Sequence, residues 1–312
     1  MKRALILGGS GGLSGTLAEM AQKYYDEIWV LTRGNRKVED KKYIHLRADR
    51  NDSEKFQKVL LEAGIAWDAV FDCICMNEAH ARQDLEVIGR ITNRLVVIST
   101  DSVYASEDKK ILQNEQGTFV NEIKSDTVIP QYARNKRKME MVFEEYFKKQ
   151  ELEEKKLQIT LFRPGHIFGP RFLFGCFPMA SRQEKLLETI NEEGKIWLVG
   201  GGHYLIHPIY AGDLARVMLD CVNNEKTYQE IFCIGGPEIV ENRKYYEVLG
   251  EILRVPLEIQ EIPLTGFLEK YPDYYGNLCH RAYDLTKLRE TGIRMPDTTL
   301  RNGLENQWEY WK

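Results

Sequence analysis

Tyr132 and Lys136 are the two side chains in this sequence whose types and spacing best fit acid–base chemistry. They lie four positions apart at the start of an amphipathic stretch, so in a helix both project from one face. An ammonium group beside a phenol stabilises the phenolate and lowers a phenol pKa that is ordinarily about 10. Such a phenol can take a proton from a hydroxyl or return one. Because Tyr-x-x-x-Lys often arises by chance, an ordinary aromatic residue beside a solvated helix face (134–138) is the alternative.

A glycine-rich turn, GGSGGLSG at 8–15, follows the first apolar run and contains the pattern G-x-x-G-x-x-G. Glycines permit positive φ in a tight turn and let backbone N–H groups approach a pyrophosphate at a helix N-terminus. Such turns are common, but this one lies between a predicted strand and a predicted helix, which favours a dinucleotide site over a plain turn. The residues that we expect to contact the cofactor here are Gly9, Ser10, Gly12, Leu13 and Gly15.

The ends of the next two predicted strands bear on which dinucleotide would bind. NAD-specific proteins usually have an acid after the second strand, whereas this sequence has Thr32 and Arg33. Thr32 does not repel a 2′-phosphate and Arg33 can bind one with two N–H groups, so NADP is favoured and NAD is the alternative. A surface arginine in a loop is the other interpretation of Arg33. Asp49 is either a ligand of the adenine amino group or an ordinary turn residue. Arg50, the next residue, is also predicted to bind the cofactor.

The elements that position these residues alternate along the chain. Apolar runs of strand length (4–8, 27–32, 42–49, 68–75, 94–100 and 158–164) are separated by segments with apolar residues at helical spacing (13–25, 52–64, 80–92 and 137–150). This alternation predicts right-handed βαβ crossovers and a doubly wound parallel sheet, an α/β Rossmann fold. Thr100 ends the fifth strand, where we expect its hydroxyl to hold a substrate oxygen beside Tyr132.

The alternation of strand-like and helix-like segments ends after Pro164. At 312 residues the chain also approaches the size at which one hydrophobic core splits into two. We predict a dinucleotide-binding domain over 1–165, to which 206–235 return with a helix near Asp213 and a strand near Phe232. Residues 166–205 and 236–312 then form a smaller substrate-binding domain. The polar stretch 105–131 is expected to be a mobile loop, with a substrate lid as the alternative.

Composition and charge restrict the class of protein. A hydrophobic fraction of 43% is ordinary for a globular enzyme, and a formal charge of -4 disfavours nucleic acid as a partner. The six cysteines show no disulfide-type spacing, and a pair such as Cys73 and Cys75 without a third ligand makes a poor zinc site. The short apolar run at the N-terminus breaks into glycines, and no stretch approaches a membrane span. We therefore expect a cytoplasmic protein with no metal and no membrane partner.

Four motifs in order resemble the extended short-chain dehydrogenase/reductases, which include nucleotide-sugar epimerases, dehydratases and reductases. They are the glycine-rich turn, STDSVY (99–104), YARNK (132–136) and RPGHIFGP (163–170), and HPIYAGDLA (207–215) and FCIGGPE (232–238) also resemble family segments. The resemblance implies NAD(P)-dependent hydride transfer with Thr100, Tyr132 and Lys136 as the catalytic set. It places Cys75, Pro164 and His166 beside the cofactor, and it implies a nucleotide-sugar-like substrate and a homodimer.

Departures from the family pattern reduce the number of reactions that we expect. Sugar dehydratases of the family have Asp then Glu after the catalytic Thr, whereas here Ser102 follows Asp101, so elimination is disfavoured. Epimerisation and ketone reduction stay open. Within the family, LTRG, ADRND and STDSVY are most similar to atypical epimerase/dehydratase-like proteins, some of which are RNA-binding relatives in chloroplasts. A non-catalytic NAD(P) sensor or RNA-associated protein is therefore the alternative function.

Overall fold

The computed structural model describes residues 1–35, 42–122, 129–149, 157–176 and 184–312. The strands are β1 (Arg3–Leu7), β2 (Glu27–Thr32), β3 (Tyr43–Arg47), β4 (Ala69–Asp72), β5 (Arg94–Ile98), β6 (Gln158–Pro164), β7 (Ile167–Phe168), β8 (Lys195–Val199), β9 (Leu205–Ile206), β10 (Ile209–Tyr210), β11 (Glu230–Ile234), β12 (Val240–Glu241) and β13 (Glu258–Ile262). The helices are α1 (Gly12–Ala21), α2 (Ser53–Glu62), α3 (Glu78–Val87), α4 (Gln131–Lys149), α5 (Leu186–Glu193), α6 (Ala211–Asp220), α7 (Asn242–Leu253), α8 (Leu264–Lys270), α9 (Thr286–Glu290) and α10 (Leu300–Trp311).

Seven strands form one parallel sheet in the order β11-β6-β5-β4-β1-β2-β3. The chain builds outward from β1 to β3, then returns to the other side of β1 and continues through β4. This confirms the predicted doubly wound α/β fold. The strand order reverses beside β1, and in such sheets ligands bind at the carboxyl ends of the strands next to this reversal.

Helices cover both faces of the sheet, because alternate strand residues bury apolar side chains on each side. One face packs against α1 and α6, which contribute buried residues such as Leu17 and Met218. The opposite face packs against α2, α3 and α4, with Phe56, Val87 and Phe143 in its core. Tyr132 and Lys136 therefore lie on a helix that is anchored along its length to the sheet.

The second half of the chain contributes both to the sheet and to a separate core. β11 pairs with β6, and α6 packs against α1, so the predicted helix and strand do lie on the main sheet. A further hydrophobic core brings together α5, α7 and α10, with Tyr245 and Tyr246 fully buried in it. The division into two domains at the predicted boundaries stays a prediction.

The segment between β5 and α4 is tied to the rest of the protein over its described part, 105–122. A parallel bridge joins Gln113 to Tyr283, and an antiparallel bridge joins Tyr104 to Phe119. The Gln113 side chain is buried, and its backbone N–H donates to the Ala282 carbonyl at 2.9 Å. These ties disagree with the expectation of a mobile loop, because they fix the segment against residues far along the chain. The remainder of the predicted loop, 123–128, lies outside the described residues.

Within the described ranges, no helix combines the length and apolar character needed to cross a bilayer.

Candidate active site

A cavity of about 820 Å³ opens at the carboxyl ends of the central strands. The glycine-rich turn, the ends of β2 and β5, the start of α4 and a C-terminal segment all contribute to its wall. Ten of the predicted site residues line it: Ser10, Gly12, Leu13, Thr32, Arg33, Thr100, Tyr132, Lys136, Pro164 and His166. The cavity therefore combines the predicted cofactor and catalytic sets in one place.

The glycine-rich turn is shaped by close packing at two of its glycines. Gly9 has φ +106°, and a Cβ there would lie 3.0 Å from the Cβ of Val30. A Cβ at Gly12 would lie 2.5 Å from Cζ of Phe172, a ring that also lines the cavity. These are the close approaches that keep the first turn of α1 open to a phosphate group, and they fit the cradle expected for a dinucleotide. Gly9 thus supports the turn without being part of the cavity wall.

Thr32 and Arg33 line the cavity at the end of β2. The backbone N–H of Gly34 donates to Oγ1 of Thr32 at 3.2 Å, and Nε of Arg47 donates to the carbonyl oxygen of Arg33 at 3.2 Å. These bonds fix the backbone of the strand end from which Arg33 lines the cavity.

Besides Gly9, four of the predicted cofactor residues do not reach the cavity wall. Gly15 faces Arg171 from inside α1. Asp49 accepts hydrogen bonds from the backbone and side chain of Asn51, both at 3.0 Å, so it is a turn residue. The Cys75 thiol is buried, and burial raises its pKa well above the ordinary value.

Arg50 is the fourth of these residues, and it serves a different purpose. Its side chain turns away from the cavity into the layer between the sheet and α3, where it forms ion pairs with Asp72 and with Asp84, the latter at 2.6 Å. Its guanidinium also donates to the carbonyl oxygen of His80 at 3.0 Å. Arg50 is therefore a structural cation in this layer, and it does not line the cavity.

The candidate catalytic residues meet where β5 ends and α4 begins. Nζ of Lys136 donates to the carbonyl oxygens of Cys75 and Ile98, both at 2.7 Å, and burial lowers the pKa of this lysine. A lysine has three N–H donors, so one is left for a ligand. Oγ1 of Thr100 accepts from the backbone N–H of Ser102 at 3.2 Å. The Tyr132 side chain, 45% exposed, reaches the cavity from the first turn of the helix.

Asp101 lies directly behind Thr100 in a buried cluster of charges. Its Oδ2 accepts hydrogen bonds from Arg281 and from the Tyr283 hydroxyl, and Nζ of Lys109 lies 3.6 Å away. Burial alone would raise the pKa of the Asp101 carboxyl, but the two cations outweigh it and hold the pKa below its usual range. Asp101 is therefore held as a carboxylate at any pH near neutrality.

This pairing predicts an acid-dependent loss of stability that Asp101→Asn should weaken. Because the pKa is lower in the folded state, the ion pairs stabilise the protein above about pH 4 and their contribution fades as the pH falls further. At pH 7 we expect the variant to lose about 1.5–3 kcal/mol. Urea unfolding at a series of pH values should show the gap from the parent protein closing in acid. The exposed Asp297→Asn, which removes a solvated pair with Arg294, should leave the acid dependence unchanged.

Several wall residues have no counterpart among the sequence predictions. Phe172 comes from the segment after β7, and Gly276, Asn277 and Arg281 come from the C-terminal quarter of the chain. None of these four residues stands in a predicted motif, and the last three reach the cavity through the packing of the C-terminal segment.

Comparison with known proteins agrees with this geometry. Residues 4–235 match the model of the NAD dependent epimerase/dehydratase family. The chain belongs to this family. The match includes the glycine-rich turn, the end of β5, the start of α4 and β11, so the family pattern spans most of the cavity wall, and only the C-terminal segment with Arg281 lies outside it.

Solved epimerase structures share the fold over almost the whole chain. An epimerase from Methanothermobacter thermautotrophicus aligns over 99% of this chain and 92% of its own, with a TM-score of 0.79 and 17% identity. UDP-glucose 4-epimerase from Thermotoga maritima aligns over 99% and 98%, with a TM-score of 0.74 and 19% identity. At these identities the likeness establishes the epimerase/dehydratase fold and nothing finer.

One curated relative is not named as an epimerase. Chloroplast stem-loop binding protein of 41 kDa b, from Arabidopsis thaliana, is 23% identical over 253 residues, which are 77% of this chain. This chain spans 60% of the length of that relative.

Proposed function

We propose that this family member is an NAD(P)-dependent epimerase or ketoreductase that acts on a nucleotide-linked sugar. The observation that carries the proposal is that Thr100, Tyr132 and Lys136 line the same cavity as the glycine-rich turn. The glycine-rich turn, which is expected to hold a phosphate group, and the acid–base pair of Tyr132 and Lys136 thus line the same cavity. Members of the family with solved structures include epimerases named for UDP-sugars, which supports this substrate class.

In this proposal the residues of the chain divide the proton chemistry among them. NAD(P), when bound, supplies the hydride acceptor or donor. Tyr132 removes a proton from a sugar hydroxyl, or returns one, at its phenol oxygen. Lys136 favours the phenolate by its charge and gives its remaining N–H to the ribose of the cofactor. Thr100 donates a hydrogen bond to the reacting sugar oxygen and so orients it toward Tyr132.

The surroundings of Asp101 argue against a dehydratase. Elimination of water needs a group that gives a proton to the leaving hydroxyl and a base that takes the proton from the neighbouring carbon. Asp101 is held as a carboxylate by Arg281 and Lys109, so it is a poor proton donor, and Ser102 stands where family dehydratases have the glutamate base. Both observations favour a reaction that moves only hydride and one proton.

We propose NADP as the preferred cofactor, on the strength of Arg33. Arg33→Ala should weaken NADPH binding about 10–100-fold, because a charge-assisted hydrogen bond contributes about 1.5–3 kcal/mol and 1.4 kcal/mol is tenfold. NADH binding should stay unchanged. Fluorescence titration with each dinucleotide measures both affinities, and an equal effect on the two would remove the case for NADP.

Two measurements together test the proposed reaction. Mass spectrometry of the purified protein identifies any dinucleotide held through purification: a retained NAD favours an epimerase, and an empty site that accepts NADPH favours a reductase. Incubation with UDP-glucose or UDP-glucuronic acid and either dinucleotide, followed by chromatography of the sugar nucleotides, detects the product. Absence of any product together with tight binding of a structured RNA would favour the alternative of an RNA-associated, non-catalytic protein. The cytoplasmic location and the homodimer stay predictions.

A further inference from the structure

Glu140 is a fully buried carboxylate in the middle of α4, one turn beyond Lys136. Its Oε1 accepts from the Ser99 hydroxyl at 2.6 Å and from Nε of Arg163 at 2.9 Å. Its Oε2 accepts from Arg163 at 2.9 Å and from Arg137 at 3.3 Å. Both oxygens are thus used, and the bonds join α4 to the ends of β5 and β6. Buried charges are expected to be paired in this way, but this pairing lies beside the candidate catalytic residues.

The end of β5 is tied to α4 at two consecutive residues. The carbonyl oxygen of Ile98 accepts from Lys136 at 2.7 Å, and the hydroxyl of Ser99 donates to Glu140 at 2.6 Å. Thr100 is the next residue along the chain. Its position relative to the helix therefore depends on these two bonds, which lie one helical turn apart.

We propose that Glu140 is a positioning residue, which sets the placement of Thr100 against the Tyr132–Lys136 pair and supplies negative charge that favours the ammonium form of Lys136. The inference rests on the proposed function and assigns Glu140 a task that the family match does not. Glu140 makes two separable contributions. Its bond to Ser99 fixes the position of Thr100, and its negative charge acts on Lys136.

The groups around Lys136 indicate the direction in which Glu140 changes the lysine pKa. Besides Tyr132, its proposed partner, the titratable groups around Lys136 are Asp72, Cys73 and Cys75 at and after the end of β4, His80 of α3, and Glu140. Burial lowers the pKa of Lys136, while Asp72 and Glu140 oppose that shift by their charge. Removing the charge of Glu140 should lower the lysine pKa further, so Lys136 should lose its proton at a lower pH.

Three variants separate these contributions. Glu140→Gln removes the charge and keeps the shape. Ser99→Ala removes the link to β5 and leaves every charge in place. Glu144→Gln is the matched control: Glu144 lies one turn further along α4 and bonds Arg137 at 2.6 and 2.9 Å, but it makes no contact with Ser99 among the described hydrogen bonds.

With UDP-glucose as the probe, Glu140→Gln should lower kcat about 10–100-fold, leave the cofactor KM unchanged and move the alkaline limb of the kcat–pH profile to lower pH. Ser99→Ala should lower kcat with no movement of that limb. Glu144→Gln should match the parent protein in both. If Glu140→Gln equals Glu144→Gln, the inference is overturned. If Glu140→Gln does not fold, Ser99→Ala decides, and a parental kcat there overturns the inference.

A readout that needs no turnover separates this inference from the proposed function. NMR titration of ¹⁵Nζ-labelled lysine, with the Lys136 signal assigned by its loss in Lys136→Met, follows the ammonium directly. A lower titration midpoint in Glu140→Gln than in Glu144→Gln supports the electrostatic contribution even if the parent protein turns over no sugar nucleotide. Equal midpoints in the two variants contradict it.

Discussion

Tyr132→Phe is expected to bind the dinucleotide with unchanged affinity and to lose turnover by about 10²–10⁴-fold. The substitution removes one oxygen from a side chain that reaches the cavity from the first turn of α4, and it leaves the helix and its buried face intact. In our proposal the glycine-rich turn holds the cofactor, so cofactor binding should not change in this variant. Single-turnover hydride transfer, followed by nicotinamide absorbance, would report the chemical step separately from product release.

The matched control for this variant is Tyr24→Phe. Tyr24 is 38% exposed, close to the exposure of Tyr132, and its hydroxyl donates to Asp220 at 3.0 Å on the surface of α6. It should keep full activity. A Tyr132→Phe protein with parental turnover would remove the phenol from the mechanism and leave Thr100 or a bound water as the proton carrier.

Arg50→Met is expected to destabilise the protein by about 3–5 kcal/mol, because it leaves buried carboxylates without their cation. Arg50 is 4% exposed and pairs with both Asp72 and Asp84. Burial raises the pKa of Asp84. At Asp72, Arg50 together with hydrogen bonds from Asp84 and from the backbone N–H of Ile74 outweighs burial and holds the pKa below its usual range. Asp72 is thus the charge that loses its partner. Urea unfolding at pH 7, with the slope compared between the two proteins, measures the loss.

The pH dependence and a second arginine test the cause of that loss. Without Arg50, burial raises the pKa of Asp72, so the variant should regain stability as the pH falls toward about 4 and Asp72 takes up a proton. Below about pH 4 the parent loses the contribution of its own ion pair, so the difference in unfolding free energy should shrink throughout the acid range. Arg82→Gln, which removes an exposed pair with Glu78 of the same helix, α3, should change stability by less than about 1 kcal/mol. A pH-independent gap would point to lost packing of the arginine side chain instead.

The strands that the sequence predicts best are those buried on both faces. The apolar runs 27–32 and 158–164 coincide with β2 and β6, in which every position is buried or partly buried. The run 68–75 also looks like a strand to its end, yet β4 stops at Asp72. The carboxylate of Asp72 accepts from the backbone N–H of Ile74 at 2.7 Å and pairs with Arg50, and a local pattern contains no sign of that distant partner.

The residues of the candidate site also differ in how far a local sequence pattern predicts them. Residues in ordered motifs at strand ends, such as Gly12 and Thr100, could be assigned because a parallel sheet collects its carboxyl ends at one edge. The place of Arg50 could not be predicted, since one position along a turn decides whether a side chain faces the cavity or the layer behind the sheet. Arg281 and Asn277 could not either, because tertiary packing alone brings their segment to the cavity.

The place of β11 at the edge of the sheet has a consequence for synthesis of the chain. β6 emerges from the ribosome long before its partner, since 165–229 must be translated between them, which takes on the order of ten seconds at about 5–20 residues per second. During that interval β6, with the sequence QITLFRP, is an apolar edge with unpaired backbone groups, the kind of edge that pairs with other chains. The nascent protein should therefore pass through an aggregation-prone stage that ends when β11 docks, and chaperone occupancy should be highest over that window.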